Sequence, residues 1–124
     1  MCNAKTQFAC AFAALIHDVD HTGVPNAQLV KENAEVAELY NNRSVAEQNS
    51  IELAWNLLME EDFSNLRYAI AESMEELKRF RQLLVNAVMA TDIVDKVRIR
   101  LFGNRDAYCR LDFCLKLTAS QYRI

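Results

Sequence analysis

A chain of 124 residues, 52% hydrophobic and 25% charged, has the length of one domain and can bury roughly two-thirds of the surface its unfolded form exposes. Two glycines and one proline fall far below the combined share of about 12% usual in soluble proteins, which argues against folds made of many short strands and tight turns. Fourteen basic residues against 17 acidic ones give a net charge of −3, without the basic excess of a nucleic-acid binder, so no nucleic-acid partner is expected.

In chain order, Phe8, Ala11, Phe12, Leu15 and Ile16 recur at helical spacing and predict a first helix from about Lys5 to Ile16. The apolar run from Phe8 to Ile16 is too short to span a bilayer, and it passes straight into a charged cluster with no cleavage region between. The expectation is a soluble, cytoplasmic chain without a membrane span, with membrane attachment of a longer parent protein left open. Gly23, Pro25 and Asn26 mark a turn, with Asn26 as N-cap of a segment running through Leu29 to Tyr40 and broken near Asn33. Asn41-Asn42-Arg43 forms the next connection.

Ser44 and Glu47 have the spacing of a capping box, and Val45, Ile51, Leu53, Ala54, Trp55, Leu57 and Leu58 continue as a helix to about Met59. A short helix follows around Phe63 to Ile70. Ser73 and Glu76 repeat the capping-box spacing and open a long helix with the apolar stripe Leu77, Phe80, Leu84 and Val88, reaching Thr91 and Asp92. The fold class is therefore all-α. Residues 1–96 hold 8 basic and 15 acidic groups, giving −7, whereas residues 97–124 hold 6 and 2, giving +4; the chain divides there into a helical unit and a divergent basic tail of unknown role. Cys2, Cys10, Cys109 and Cys114 lack the spacing of a structural zinc site and read as reduced thiols.

Chemistry concentrates in His17-Asp18-Val19-Asp20-His21-Thr22-Gly23, which holds both histidines of the chain and two carboxylates within five residues. Imidazole and carboxylate together suit zinc, magnesium or manganese. The plainer alternative is a solvated helix C-terminus, where histidine favours the dipole and aspartate the following turn. Glu47 falls at the centre of the apolar face formed by Ile51, Ala54 and Leu58, either as the reciprocal member of the capping box or as a carboxylate pointing into a polar site. Thr91 and Asp92 prolong an apolar stripe in the same way, as a frayed helix end or as part of a polar pocket within a helical bundle.

The segment Phe12-Ala-Ala-Leu-Ile-His-Asp-Val-Asp-His-Thr-Gly-Val-Pro-Asn26 resembles the metal-binding signature of class I 3′,5′-cyclic nucleotide phosphodiesterases. Tyr40-Asn-Asn-Arg-Ser-Val-Ala-Glu-Gln-Asn49 is similar to that family's Tyr-Asn-x-x-Ser-Val-x-Glu block, and Val88-Met-Ala-Thr-Asp92 to its Ala-Thr-Asp helix end. The likeness covers about residues 7–96 and implies a middle portion of an all-helical catalytic domain, so that 1–96 is a partial catalytic domain. It implies two divalent ions, zinc with magnesium or manganese, with His17 and Asp18 as metal ligands and Asp18 reaching both ions. His21, Glu47 and Thr91 correspond to groups that hydrogen-bond metal-held waters or neighbouring catalytic groups; Asp92 adjoins them without an assigned role.

The activity implied is hydrolysis of a 3′,5′-cyclic nucleotide to its 5′-monophosphate by a hydroxide activated between two metals, in cyclic nucleotide signal transduction. The resemblance leaves the choice between cAMP and cGMP open. The family's upstream His-Asn-x-x-His block, its downstream aspartate ligand and its purine-holding glutamine have no counterpart here, which implies weak activity or none for these 124 residues alone. Where the family carries paired histidines, this chain has Asn49 and Ser50. The alternative is a non-catalytic helical fragment that binds other chains, or copies of itself, through exposed apolar helix faces.

Overall fold

A computed structural model describes residues 3–92, and residues 97–124 of the expected basic tail lie outside them. The described residues form α1 (Ala4–Ile16), α2 (Asn26–Lys31), α3 (Glu35–Leu39), α4 (Val45–Met59), a single 3₁₀ turn (Glu61–Phe63), α5 (Ser64–Ile70) and α6 (Met74–Met89), with no strand among them. The all-α expectation holds, and the break expected near Asn33 falls between α2 and α3, where Asn33 adopts φ 51°. Asparagine tolerates this left-handed conformation better than most residues, and Asn41 and Asn42 adopt it again at φ 54° and 59° in the connection before α4.

Two apolar clusters define how the long helices lie. Ala9, Leu58, Ile70, Leu77 and Phe80 gather at one end; Ala13, Ile16, Ile51, Leu84, Ala87 and Val88 gather at the other. Early residues of α1 thus meet early residues of α6 and late meet late, while α4 contributes its late Leu58 to the first cluster and its early Ile51 to the second. Helices α1 and α6 run parallel, and α4 runs antiparallel to both. Lys5 and Glu76 pair at 2.6 Å near the starts of α1 and α6, and the Lys5 ammonium, joined by the Glu72 N–H, holds the Glu76 carboxyl below the usual carboxylate range.

The stripe Leu77, Phe80, Leu84 and Val88 is buried as its spacing predicts. The face of α1 differs from expectation. Ala9, Ala13 and Ile16 are buried with Phe12 packed beside them, whereas Phe8 and Leu15 are exposed, Leu15 by 76%. Small side chains on both helices, Ala9 and Ala13 on α1 and Ala87 on α6, line the contact, and Leu15 is turned outward. Phe12 and Phe80 lie 5.9 Å apart by ring centroid, and the guanidinium of Arg81 sits 5.4 Å from the Trp55 ring centre.

Two helix caps behave differently. At α6 the Glu76 N–H donates to Ser73 Oγ at 3.2 Å, and the Glu76 carboxylate accepts from the Glu72 N–H at 2.9 Å. The C-terminus of α4 is closed by Arg67, whose guanidinium donates to the carbonyls of Leu58 at 2.7 Å and Glu60 at 2.5 Å. Leu84 is completely buried in the second cluster, so Leu84→Ala should lower unfolding stability by about 2–5 kcal/mol, while Leu15→Ala should change it by less than about 0.5 kcal/mol. Urea unfolding of the two variants followed by circular dichroism checks the contrast.

Candidate functional site

Parallel α1 and α6 with antiparallel α4 bring the C-termini of the first two and the N-terminus of the third to one end of the bundle, and every site residue expected from the sequence lies there. His17 follows α1 directly. Its Nδ1 lies 2.8 Å from the Ala14 carbonyl, and because a carbonyl only accepts, Nδ1 carries the proton and the neutral ring has its lone pair on Nε2. Nε2 in turn lies 3.0 Å from Asp18 Oδ2. Two lone-pair atoms converging at this distance require a proton or a cation between them. The spacing is that of an ordinary hydrogen bond and equally that of two ligands at about 90° around an ion with bonds of about 2.1 Å, so donor type and spacing together admit a divalent metal. Among the described residues no group of three or more His, Cys, Asp and Glu side chains converges on one point.

The backbone gives His21 the opposite form. The Gly23 N–H donates to His21 Nδ1 at 2.9 Å, so in the neutral ring the proton sits on Nε2, which donates. A hydrogen-bond donor suits an anionic oxygen or a bound water. Gly23 has φ 79°, and a Cβ at this position would meet nothing within 4 Å, so glycine is required there by backbone conformation rather than by crowding.

Asn26 does not cap α2; it is that helix's first residue, and Pro25 occupies the cap position without a side-chain bond. Its amide reaches α4 instead, accepting from the Ala46 N–H at 2.9 Å and donating to Glu47 Oε2 at 2.8 Å. The Ser44–Glu47 capping box is likewise not formed. Ser44 adopts φ 39° and turns its hydroxyl to Asp92 Oδ2 at 2.7 Å, so Asn26 supplies the cap from a distant part of the chain. Glu47 is half-buried and oriented by Asn26, as its place on an apolar face suggested.

Asp92 is 7% exposed and ties the end of α6 to the start of α4. Thr91 beside it donates its hydroxyl to the Val88 carbonyl at 2.7 Å, which leaves its oxygen to act as an acceptor. The structure brings His17 and Asp18 into direct contact and places His21, Glu47 and Thr91 around the same end of the bundle; among the described residues no hydrogen bond joins those three to one another. Asn26, Ser44, Asn49 and Ser50 are supporting residues whose bonds across the fold the motifs did not reveal. Ser50 had a signal: it lies three positions after Glu47, on the same buried face.

A profile described as 3′5′-cyclic nucleotide phosphodiesterase matches residues 1–100. The chain belongs to that family. It is 44% identical over 81 residues to a human cGMP-inhibited 3′,5′-cyclic phosphodiesterase 3A, covering 65% of this chain and 7% of that protein. It is 38% identical over 86 residues to the mouse dual specificity calcium/calmodulin-dependent 3′,5′-cyclic nucleotide phosphodiesterase 1C, covering 69% and 12%. The crystal structure of the phosphodiesterase domain of a RhoPDE fusion protein from the choanoflagellate Salpingoeca rosetta superposes with a TM-score of 0.66 at 29% identity, covering 94% of this chain and 38% of that one. The chain thus spans a small part of these phosphodiesterases' length.

The clamp between Ser44 and Asp92 makes a prediction of its own. Ser44→Ala removes a donor from a buried carboxylate and should cost about 1–3 kcal/mol. Ser44→Gly removes the same donor but relieves the left-handed backbone, so it should be the milder change by about 1 kcal/mol. Equal losses in chemical denaturation would refute backbone strain at Ser44.

Proposed function

We propose that this segment forms one wall of a metal-dependent centre that hydrolyses a 3′,5′-cyclic nucleotide to its 5′-monophosphate. The observation that carries the reading is the His17–Asp18 pair. The Ala14 carbonyl accepts from His17 Nδ1 and so directs Nε2 at an Asp18 carboxylate oxygen 3.0 Å away, which sets an imidazole nitrogen and a carboxylate, two donor types that hold divalent metals, side by side. In this reading His17 and Asp18 would hold an ion of zinc type, and Asp18 would also serve an ion of magnesium or manganese type. Such ions, when bound, supply positive charge to the cyclic phosphate and lower the pKa of water.

The remaining residues act through orientation and hydrogen bonding. His21 donates from Nε2 to an oxygen of the substrate or of a water, Thr91 accepts through its hydroxyl oxygen, and Glu47, fixed by Asn26, accepts from a water or from a neighbouring catalytic group. The C-termini of α1 and α6 add partial negative charge that favours cations at this end.

A second reading, in which the chain is a non-catalytic helical fragment that binds other chains, is favoured by the exposure of Leu15, Leu53 and Leu57 and requires no metal. Metal content separates the two. With two of about four ligands in place, the 124-residue chain should lose zinc on dialysis against a mild chelator, and His17→Ala should abolish what binding remains above it; zinc binding unchanged in His17→Ala would sink the metal assignment. In a chimaera carrying residues 1–96 within a relative's complete catalytic domain, Asp18→Ala should abolish cyclic nucleotide hydrolysis. Glu47→Gln should lower it about 10- to 100-fold. Near-normal turnover by the Asp18 variant is the contrary result.

A further inference from the structure

We propose that Ser50, assisted by Asn49, is a positioning residue for the His17–His21 loop: its buried hydroxyl holds the peptide plane that sets His21 relative to His17 and Asp18. The loop closes as a four-residue turn, with the His21 N–H donating to the Asp18 carbonyl at 3.1 Å. Of its two central residues, Val19 has negative φ and Asp20 has φ 59°, the φ signs of a type II turn rather than a type I turn. Types I and II differ mainly by a flip of the central peptide, here Val19–Asp20. A flip to type I would carry Asp20 to negative φ, the region an L-residue prefers. Left to local preference, an aspartate at this position favours the flipped form.

Ser50 opposes the flip. It is completely buried on α4, and its Oγ donates to the Val19 carbonyl at 2.7 Å, the oxygen that would swing away. A serine hydroxyl has one proton to give, and losing this acceptor would leave a buried donor without its partner. Asn49 adds a contact from Nδ2 to Asp20 Oδ2 at 3.2 Å. The helix that carries Glu47 therefore also sets the conformation of the loop that carries the two histidines. The consequence for chemistry rests on the metal reading of His17 and Asp18, whereas the turn itself does not.

The test uses the isotopically labelled 124-residue chain, in which the HN–Hα coupling and Cα shift of Asp20 report the sign of its φ. Ser50→Ala should move Asp20 to negative φ in a chain that still unfolds cooperatively. With Mn²⁺ as probe, paramagnetic broadening of the His21 ring relative to the His17 ring should then change several-fold. Adding Asp20→Gly, which takes positive φ without penalty, should restore the His21-to-His17 ratio, a rescue that a packing role for Ser50 does not predict. An unchanged Asp20 signal in folded Ser50→Ala, or failure of the glycine to rescue, overturns the proposal. Broadening of neither ring refutes the metal reading and leaves the Asp20 signal to decide the turn. Should Ser50→Ala not fold, the wild-type chain decides: Asp20 at negative φ, or a Ser50 hydroxyl proton exchanging as fast as an exposed serine's, is the refuting result.

Discussion

The close, parallel contact between α1 and α6 is the constraint on which the rest of the structure depends. Ala9 and Ala13 on α1 and Ala87 on α6 are almost fully buried, and their small side chains leave room for Phe12, Leu84 and Val88 to fill the space around the seam. Parallel neighbours place like ends of their dipoles together, an arrangement that is unfavourable by itself. Antiparallel α4 answers it by bringing its positive amino end beside the two carboxyl ends. The same reversal gives the bundle one end where backbone dipoles of both signs meet, and that is where His17, Asp18, Glu47, Thr91 and Asp92 are found.

The polar end is held by side chains that reach across the fold rather than by each helix's own cap. Asn26 caps α4 from beyond the loop, Asp92 accepts from Ser44, and Ser50 holds Val19. Each of these bonds spans at least 20 positions in sequence, so the geometry of this end exists only when the three long helices are packed. The apolar clusters therefore do more than stabilise the chain; they set the positions of the polar groups. Conversely, the burial of Asp92 and Ser50 is tolerable only because each has a hydrogen-bond partner at the packed end.

Periodicity made most of the helices legible, since Leu77, Phe80, Leu84 and Val88 recur at core spacing and Ser73 with Glu76 marks a true start. It also singled out Glu47, whose carboxylate interrupts an apolar face for a reason the fold supplies. It failed where hydrophobicity was taken as a proxy for burial: on α1 the contact with α6 selects small residues, and Leu15 points outward. The capping-box reading of Ser44 failed because local spacing carries no information about Asp92, 48 positions away, which competes for the same hydroxyl. The resemblance to cyclic nucleotide phosphodiesterases identified which polar residues to expect together, but it could not indicate that Asn49 and Ser50 take a supporting role.

The two histidines show how one residue type acquires two functions within five positions. Both rings begin with the same two nitrogens, and neither imidazole's own chemistry decides which one is bare. The decision is made by the main chain: the Ala14 carbonyl accepts from Nδ1 of His17, and the Gly23 N–H donates to Nδ1 of His21. The first contact exists because His17 immediately follows a helix, whose last carbonyls lack intrahelical partners. The second exists because Gly23 turns the chain back at φ 79°. In the neutral state one ring therefore offers a lone pair and the other a proton, so the positions of a helix end and a glycine, rather than the histidines themselves, fix which nitrogen can bind a cation and which can donate to an oxygen.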